Sequence, residues 1–335
     1  MSKPLFSAGI AGLGVSVPST VLTNDDLQSM VNTSDEWIRS RTGINTRHIA
    51  DKNQSTSDLS LDAAVKALDD AGIGPEELDL IIVCTSSPDM LFPATACLVQ
   101  DRLGANCGAF DLQAGCTGFI YGLSVGKQFI GTGAMENILV IGAETLSKLV
   151  NWEDRNTCVL FGDGAGAVVL RRFPEGSGIM AAILGSDGSG GNLLSLPAGG
   201  SLMPATQDTL DKNLHYIHMN GREVFKFAVK TMGDAAAEVI GKAGLTIQDI
   251  DLLIPHQANV RIIEAAARRL KMPLEKVLVN VDRYGNTSAA SIPIALAEAA
   301  HTGRLSRGDR LVMVGFGAGL TWAAAVIEWD TGELR

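Results

Sequence analysis

Two stretches of the chain resemble each other without a gap: KALDDAGIGPEELDLIIVCTSS at residues 66–87 and VIGKAGLTIQDIDLLIPHQAN at residues 239–259. The Ala-Gly pair at 71–72 recurs 172 residues later at 243–244, and Asp79 recurs at the same spacing. Because the spacing is constant, it indicates a register between two copies of one structural unit.

The repeated unit has the pattern of alternating helices and buried strands. Apolar residues have helical spacing in the alanine-rich segments 59–71 and 233–243, whereas LIIVC and LLIP are short apolar runs typical of strands buried on both faces. NILVIGAETL (137–146) and RLVMVGFGAG (310–319) repeat in the same way, with one residue more between them. We therefore expect two copies of an α/β unit, each with a sheet covered by helices.

The duplication also predicts where polar chemistry collects, because active sites in such folds lie at the C-terminal ends of strands. Cys116 follows a predicted strand at 108–112, and the repeat spacing carries it to position 288, two residues from Asn286. His256 lies just beyond the second copy of the strand at 80–84. Three chemically useful side chains thus fall on symmetry-related strand ends.

Cys116 has the surroundings of a nucleophile. In FDLQAGCTGFIYGL it sits between a strand and a helix predicted to begin near Thr117, and the small residues Ala114, Gly115 and Gly118 leave room for a tight, strained turn. A helix N-terminus beside the sulfur would lower the pKa of the thiol. The alternative is a cysteine buried in the core.

His256 and Asn286 are weaker candidates when each is taken alone. His256, in LLIPHQANVRII, lies on a loop between an apolar strand and an amphipathic helix, where a histidine can reach a ligand. Asn286 lies in a Gly-Asn-Thr-Ser turn before a helix of small residues, so that an N-cap is its ordinary alternative.

Composition excludes several classes of function. The 335 residues are 46% hydrophobic and 19% charged, which is typical of a well-packed globular protein, and the net charge of −10 argues against nucleic-acid binding. The five cysteines include no CxxC pair, which argues against disulfides and zinc and favours a reducing, cytoplasmic environment. The longest uncharged run, 311–327, is interrupted by glycines and predicts two buried strands around a turn, without membrane insertion.

The glycines of VLFGDGAGAVVLRR (159–172) could suggest a dinucleotide-binding fingerprint. A strand pattern at 167–170 follows them where the fingerprint requires a helix, so a nicotinamide cofactor is not expected. We predict instead a β-hairpin with Asp163 and Gly164 in its turn.

Together the motifs resemble those of the β-ketoacyl-acyl-carrier-protein synthase III family of the thiolase superfamily, over nearly the whole chain. The matching motifs stand in the family's order: TSDEWIRSRTGINTRHIA (33–50), QAGCTGF (113–119), RNTCVLFGDGAGAVVL (155–170), MNGREVFKFAV (219–229), PHQAN (255–259), GNTSAASIP (285–293) and GFGAGLTW (315–322). The resemblance implies a duplicated, thiolase-like α/β fold in five layers, α-β-α-β-α. It implies an N-terminal half at 1–175 with the nucleophilic cysteine and a C-terminal half at 176–335 with the histidine and asparagine.

The resemblance also implies a role for particular residues. The implied catalytic set is Cys116, His256 and Asn286, with the backbone N–H groups of Cys116 and Ala318 as the oxyanion hole. The implied binding residues are Trp37, Arg41 and Arg155 for coenzyme A, Phe92 and Phe161 for the acyl pocket and tunnel, and Lys226, Gln257, Arg261, Arg268 and Arg269 for the carrier protein.

The implied reaction is a decarboxylative Claisen condensation. An acyl-coenzyme A primer would acylate Cys116, and malonyl-acyl-carrier protein would then give 3-oxoacyl-carrier protein and carbon dioxide, which initiates fatty-acid synthesis. The resemblance implies a homodimer in which Phe92 reaches the partner's acyl pocket, and it implies no metal or redox cofactor.

Three alternatives remain at the level of sequence. A degradative thiolase or a hydroxymethylglutaryl synthase would need a second catalytic cysteine or a glutamate base, where PHQAN and GNTSAAS offer His and Asn. A non-catalytic relative usually lacks the nucleophile, which is present here as Cys116. A condensing enzyme of a secondary-metabolite pathway shares all these motifs, and the segment 195–213 is predicted to be a long surface loop without an assigned role.

Overall fold

The computed structural model describes residues 6–173 and 176–330. The strands of these residues are β1 (Ser7–Ser16), β2 (Thr20–Thr23), β3 (Thr46–Ile49), β4 (Leu80–Cys84), β5 (Gly108–Leu112), β6 (Ile138–Glu144), β7 (Gly164–Phe173), β8 (Gly178–Ser186), β9 (Leu194–Ser195), β10 (His218–Met219), β11 (Leu252–Pro255), β12 (Arg310–Gly317) and β13 (Thr321–Glu328). The helices are α1 (Asn24–Gln28), α2 (Asp35–Thr42), α3 (Thr56–Ala71), α4 (Thr95–Leu103), α5 (Gly118–Gly131), α6 (Arg155–Cys158), α7 (Gln207–Asp211), α8 (Gly221–Lys242), α9 (Val260–Leu270), α10 (Val281–Tyr284) and α11 (Ser291–His301).

The first large sheet contains five strands in the order β1-β7-β6-β4-β5. Strands β6, β4 and β5 are parallel to one another, and β7 and β1 are antiparallel to their neighbours. Every residue of β4 and β6 is buried, because both faces of these central strands are covered.

The second large sheet repeats this arrangement with the order β8-β13-β12-β11. Strands β11 and β12 are parallel, and β13 and β8 follow in antiparallel pairing. In the place of a fifth strand, Val277 makes a single parallel bridge to Leu253 of β11. The two sheets therefore have the same strand order, which confirms the duplication that the 172-residue spacing predicts.

The helices separate the two sheets and cover their outer faces. Helix α3 packs on β1, β7 and β6, and α8 packs on β12, β13 and β8. Helices α5 and α11 lie between the sheets and contact strands of both. This gives the five layers α-β-α-β-α that the family resemblance implies, with the largest apolar cluster in the middle layer.

Local sequence signals determine where these elements begin and end. Ser55 and Asp58 form a capping box at the start of α3, and the helix ends at Gly72, whose φ of +65° favours glycine. The uncharged run predicted as two strands forms the antiparallel pair β12 and β13. In residues 6–173 and 176–330, no helix is both long and apolar enough to cross a membrane.

Two local expectations need correction. The predicted hairpin around Asp163 is wrong: residues 159–163 are not a strand, and β7 pairs instead with β1 and β6. The Asp163 carboxylate is buried and accepts hydrogen bonds from the N–H groups of Ala50 and Ser147, so its role is to fix loops. The segment 195–213 is not one continuous loop, since it contains the end of β9 and helix α7.

Candidate active site

Cys116 lies in a tight turn between β5 and α5. The turn, Gly115–Thr117, is a short 3-10 helix, and Gly115 has a φ of +55°, which disfavours a side chain. Thr117 Oγ1 donates a hydrogen bond to the Ala114 carbonyl oxygen at 2.6 Å. The predicted elbow is therefore present, and Cys116 is 7% exposed.

The turn between β12 and β13 packs directly against this elbow. A Cβ atom added to Gly115 would lie 2.9 Å from the backbone nitrogen of Ala318, and one added to Gly317 would lie 2.6 Å from the backbone nitrogen of Cys116. Thr321 Oγ1 lies 3.0 Å from the carbonyl oxygens of both Ala114 and Ala318. The two N–H groups expected to form an oxyanion hole thus belong to adjoining turns.

Burial controls the acidity of the nucleophile candidate. It raises the pKa of the Cys116 thiol to about 12, while a hydrogen bond with the Ser288 side chain opposes the rise and the charge of Glu144 adds to it. The Cys116 backbone N–H at the start of this turn lowers the pKa, but the loss of solvation around the sulfur is the larger effect, so the expected net lowering does not occur. Cys116 is a neutral thiol when no substrate is bound.

His256 follows the last residue of β11, and its backbone N–H donates to the Val314 carbonyl oxygen of β12 at 2.7 Å. Its imidazole Nδ1 lies 2.6 Å from Ser291 Oγ, and its ring meets the edge of Phe316 at a centroid distance of 5.7 Å. The buried Nε2 has no hydrogen-bond partner among the described residues. Burial lowers the pKa of His256 to about 3, so the imidazole is neutral at physiological pH.

Asn286 is held by its backbone and by one atom of its amide. Its N–H donates to the Leu160 carbonyl oxygen at 2.8 Å, and its carbonyl oxygen accepts from the Gly162 N–H at 3.0 Å. Its Oδ1 accepts from the Ser288 N–H at 2.9 Å, and its Nδ2 makes no hydrogen bond to a described residue, so Nδ2 is available as a donor. Asn286 does not cap α11, whose N-cap is Ala290.

The structure brings the three residues toward one place. A Cβ atom added to Gly315 would lie 3.5 Å from the Cβ of His256 and 3.7 Å from the Cys116 carbonyl oxygen, so both residues flank this glycine. Asn286 forms a backbone bridge with Phe161, which lines the same cavity as Cys116. This cavity has a volume of about 420 Å³, and its other lining residues include Ala318, Ser288 and several apolar side chains.

Glu144 is a buried carboxylate that sequence reasoning missed. It ends β6 and accepts hydrogen bonds from Thr85 Oγ1, the Ser86 N–H, Ser87 Oγ and, at 3.0 Å, Ser288 Oγ. Burial nevertheless raises its pKa to about 7, because the charge is fully removed from solvent. The repeat spacing could have indicated Ser288, since position 288 is the copy of Cys116, but no pattern in the sequence links Ser288 to Glu144.

The residues expected to bind coenzyme A form a cluster. Arg41 and Arg155 each place the guanidinium carbon 4.9 Å from the centre of the Trp37 ring. Trp37 and Arg41 line a groove of about 640 Å³ that also includes Leu160, the residue next to Phe161. The groove is therefore cationic and aromatic. One of its lining residues, Leu160, directly precedes Phe161, which lines the cavity that contains Cys116.

The residues expected at the carrier-protein face lie on helices α8 and α9, with one exception. Lys226, Arg261, Arg268 and Arg269 are exposed. The side chain of Gln257 is instead buried, donates to the carbonyl oxygens of Pro255 and Leu278, and accepts from the backbone of residues 280 and 281. Its expected contact with a carrier protein needs correction, because all of its polar atoms hold the loop that carries His256.

Phe92 is 84% exposed and lies beside Leu91, which is 79% exposed. It does not line the cavity of its own chain that contains Cys116. Among residues 6–173 and 176–330, no cluster of three or more His, Cys, Asp or Glu side chains could hold a metal ion.

Comparison with known proteins gives consistent results. The family model of 3-oxoacyl-[acyl-carrier-protein] synthase III matches residues 110–188, and that of its C-terminal region matches residues 240–329. The chain is 60% identical to the β-ketoacyl-[acyl-carrier-protein] synthase III of Caldanaerobacter subterraneus subsp. tengcongensis over 97% of this chain and 98% of the relative.

Solved structures resemble the whole chain as well. The 3-oxoacyl-[acyl-carrier-protein] synthase III of Aquifex aeolicus has a TM-score of 0.89 and 50% identity, covering 96% of this chain and 100% of its own. A priming β-ketosynthase from a polyketide biosynthetic pathway has a TM-score of 0.89 at 32% identity, covering 98% of both chains. With 60% identity across nearly its full length, the chain belongs to the β-ketoacyl-[acyl-carrier-protein] synthase III family.

Proposed function

We propose that the chain condenses an acyl-coenzyme A primer with malonyl-acyl-carrier protein, releasing carbon dioxide and forming a 3-oxoacyl-carrier protein. The observation that carries the proposal is that Cys116 and a neutral His256 flank the same glycine, Gly315, while Asn286 bridges the backbone of Phe161 in the cavity wall. Neither a second cysteine nor a glutamate lines the cavity formed by the described residues, which disfavours the chemistry of a degradative thiolase.

The first step is acyl transfer to Cys116. Its sulfur attacks the thioester carbonyl, the bond to coenzyme A breaks, and the proton of the thiol leaves with coenzyme A. The N–H groups of Cys116 and Ala318 stabilise the oxyanion, and loss of one such donor typically costs roughly 3–4 kcal/mol of transition-state stabilisation.

The second step is decarboxylation of the malonyl group. His256 Nε2 and Asn286 Nδ2 donate hydrogen bonds to the malonyl thioester oxygen, where negative charge accumulates as carbon dioxide leaves. The resulting carbanion attacks the acyl-Cys116 carbonyl, the bond to sulfur breaks, and the Cys116 thiolate takes a proton from solvent to regenerate the thiol. Neutral donors suit this step because a carboxylate in their place would repel the developing charge.

Substrate binding is proposed from the surfaces around the cavity. The Trp37 cluster suits the nucleotide end of coenzyme A, because guanidinium groups bind phosphate and an indole can stack on adenine. The exposed basic residues of α8 and α9 suit an acidic carrier protein. Lys226, Arg268 and Arg269 already pair with Glu223, Glu264 and Asp234, so Arg261, which lies against Phe225, is the least committed of the four.

A homodimer is proposed from the exposure of Leu91 and Phe92. Two large apolar side chains that are about four-fifths exposed are typical of an interface. A reaction without a metal or redox cofactor and a cytoplasmic location remain predictions, the latter based on the cysteine content.

The test is the intact mass of the protein after incubation with a panel of acyl-coenzyme A thioesters. We expect a mass gain of one acyl group on the native chain and none on Cys116→Ala. Addition of malonyl-carrier protein should then remove the label as a 3-oxoacyl product. Equal labelling of the variant, or no labelling by any thioester, would contradict the proposal.

A further inference from the structure

The hydroxyl group of Ser291 lies directly behind the imidazole of His256. Ser291 is the first residue of α11, is 2% exposed, and places its Oγ 2.6 Å from His256 Nδ1. The helix does not use this hydroxyl as a cap, because its N-cap residue is Ala290 and no side-chain capping bond is present. The position of the hydroxyl therefore calls for another explanation.

The hydrogen bonds around Ser291 determine where its proton lies. Ser291 Oγ accepts a hydrogen bond from the Gln257 N–H at 3.3 Å, and a backbone N–H can only donate. If Nδ1 also carried a proton, two donors would face one hydroxyl, whose own proton would have no acceptor among the described residues. In the other tautomer every donor in this series of hydrogen bonds has an acceptor: the Gln257 N–H donates to Ser291 Oγ, and the Ser291 hydroxyl donates to an unprotonated Nδ1.

This series of hydrogen bonds places the imidazole proton on Nε2. This atom is buried and has no hydrogen-bond partner among residues 6–173 and 176–330. A buried donor without an acceptor is costly, and such groups concentrate where a ligand supplies the missing partner.

We propose that Ser291 is a positioning residue that holds His256 as its Nε2–H tautomer, so that the neutral ring donates to the malonyl thioester oxygen. The role assigned to the donor rests on the proposed function, whereas the position of the proton rests on the geometry alone. Because burial keeps the ring neutral, selection between the two tautomers is what decides whether Nε2 is a donor or an acceptor.

The tautomer is measured directly in the protein without substrate. In ¹⁵N-histidine-labelled protein at pH 7, the His256 signals are identified by their loss in His256→Ala, and the nitrogen shifts report which atom carries the proton. We expect Nε2–H in the native chain and a mixture of tautomers in Ser291→Ala. An Nδ1–H ring in the native chain would overturn the proposal whether or not the enzyme condenses malonyl thioesters.

Kinetics separates the two half-reactions. Ser291→Ala should load an acyl group onto Cys116 at the native rate but lose roughly 5- to 150-fold in decarboxylation, the range expected for one misplaced buried hydrogen bond. Ser291→Thr keeps the hydroxyl and should recover most of this loss. If Ser291→Ala decarboxylates malonyl thioester at the native rate with an unchanged tautomer, Ser291 has no positioning role.

Ser60→Ala is a matched control for the loss of a buried hydroxyl. Ser60 is fully buried in α3, and its hydroxyl donates to the Thr56 carbonyl oxygen at 2.7 Å, in the outer layer of the first sheet. Ser60→Ala should lose stability without a change in the His256 tautomer or in the ratio of the two half-reactions. If the native chain does not acquire an acyl group on Cys116, the proposed function is refuted, but the tautomer measurement stays valid.

Discussion

Glu144 provides a sharp test of how burial and hydrogen bonding balance at this site. The carboxylate is fully buried, accepts hydrogen bonds from backbone and hydroxyl donors, and has no cationic partner among the described residues. Donors favour the charged form and burial favours the neutral form. Burial is the larger effect and raises the pKa from 4.5 to about 7.

The sign of the pH dependence follows from this shift. A carboxyl group with a raised pKa binds its proton more tightly in the folded protein, so its contribution to stability is fully present below pH 4.5 and is lost as the pH rises through about 7. Between pH 5 and pH 8 this change amounts to roughly 2 to 3 kcal/mol. Glu144→Gln lacks the titration and should lack this component of the pH dependence.

The measurement is urea unfolding of the native chain and Glu144→Gln at pH 5 and pH 8. Any constant cost of the amide cancels in the comparison between the two pH values, and so do the titrations of groups that both chains share. We expect the free energy of unfolding of Glu144→Gln, relative to native, to rise by roughly 2 to 3 kcal/mol from pH 5 to pH 8. Glu136→Gln, at an exposed surface position, is the control and should show no such rise.

A flat difference, or a fall toward pH 8, would refute the reasoning. It would show that the hydrogen-bond donors around Glu144 outweigh the cost of burying its charge. Glu144 would then be an ordinary carboxylate that stabilises the fold at neutral pH.

Three further predictions concern the nucleophile and the coenzyme A groove. Gly317→Ala should lower the rate of acyl loading about 100-fold in the mass assay, because its Cβ would lie 2.6 Å from the Cys116 backbone nitrogen. Gly315→Ala is the control: its Cβ would meet no atom closer than 3.5 Å, and this variant should load normally. Alkylation of Cys116 by iodoacetamide should keep rising from pH 7 to pH 10 without a plateau, since burial raises the thiol pKa to about 12. Trp37→Ala should raise KM for acyl-coenzyme A about tenfold in steady-state assays but leave an acyl-pantetheine substrate unaffected.

Much of the fold could be predicted from the sequence because the chain repeats. The buried strands β4, β11, β12 and β13 are where the apolar runs place them, since such runs have few alternatives in a covered sheet. The hairpin expected at Asp163 was wrong because a turn signal describes only neighbouring residues. The pairing of β7 with β1 and β6 depends on contacts distant in the chain.

The site was harder to predict than the fold. Local sequence patterns indicate the turn of Cys116 and the loop of His256. The pKa values of the two side chains, however, depend on their desolvation, which no local pattern records. Gln257 illustrates the same limit. A polar residue on a loop is expected to be exposed, yet the Gln257 amide is buried and its hydrogen bonds hold that loop together. Glu144 and Ser291 act through contacts more than 30 residues away along the chain.

The duplication explains why the site needs both halves of the chain. Strand β12 of the second sheet packs against the Cys116 turn of the first half, where Gly317 allows close approach. Strand β6 of the first sheet packs in the same way against the turn at 288–290, where a Cβ on Gly142 would lie 2.3 Å from the Ala289 carbonyl oxygen. Each sheet therefore supports the turn of the other half. The two copies differ in the residue they present, a thiol at position 116 and a hydroxyl at position 288, and the second turn also holds the Asn286 side chain through the Ser288 N–H.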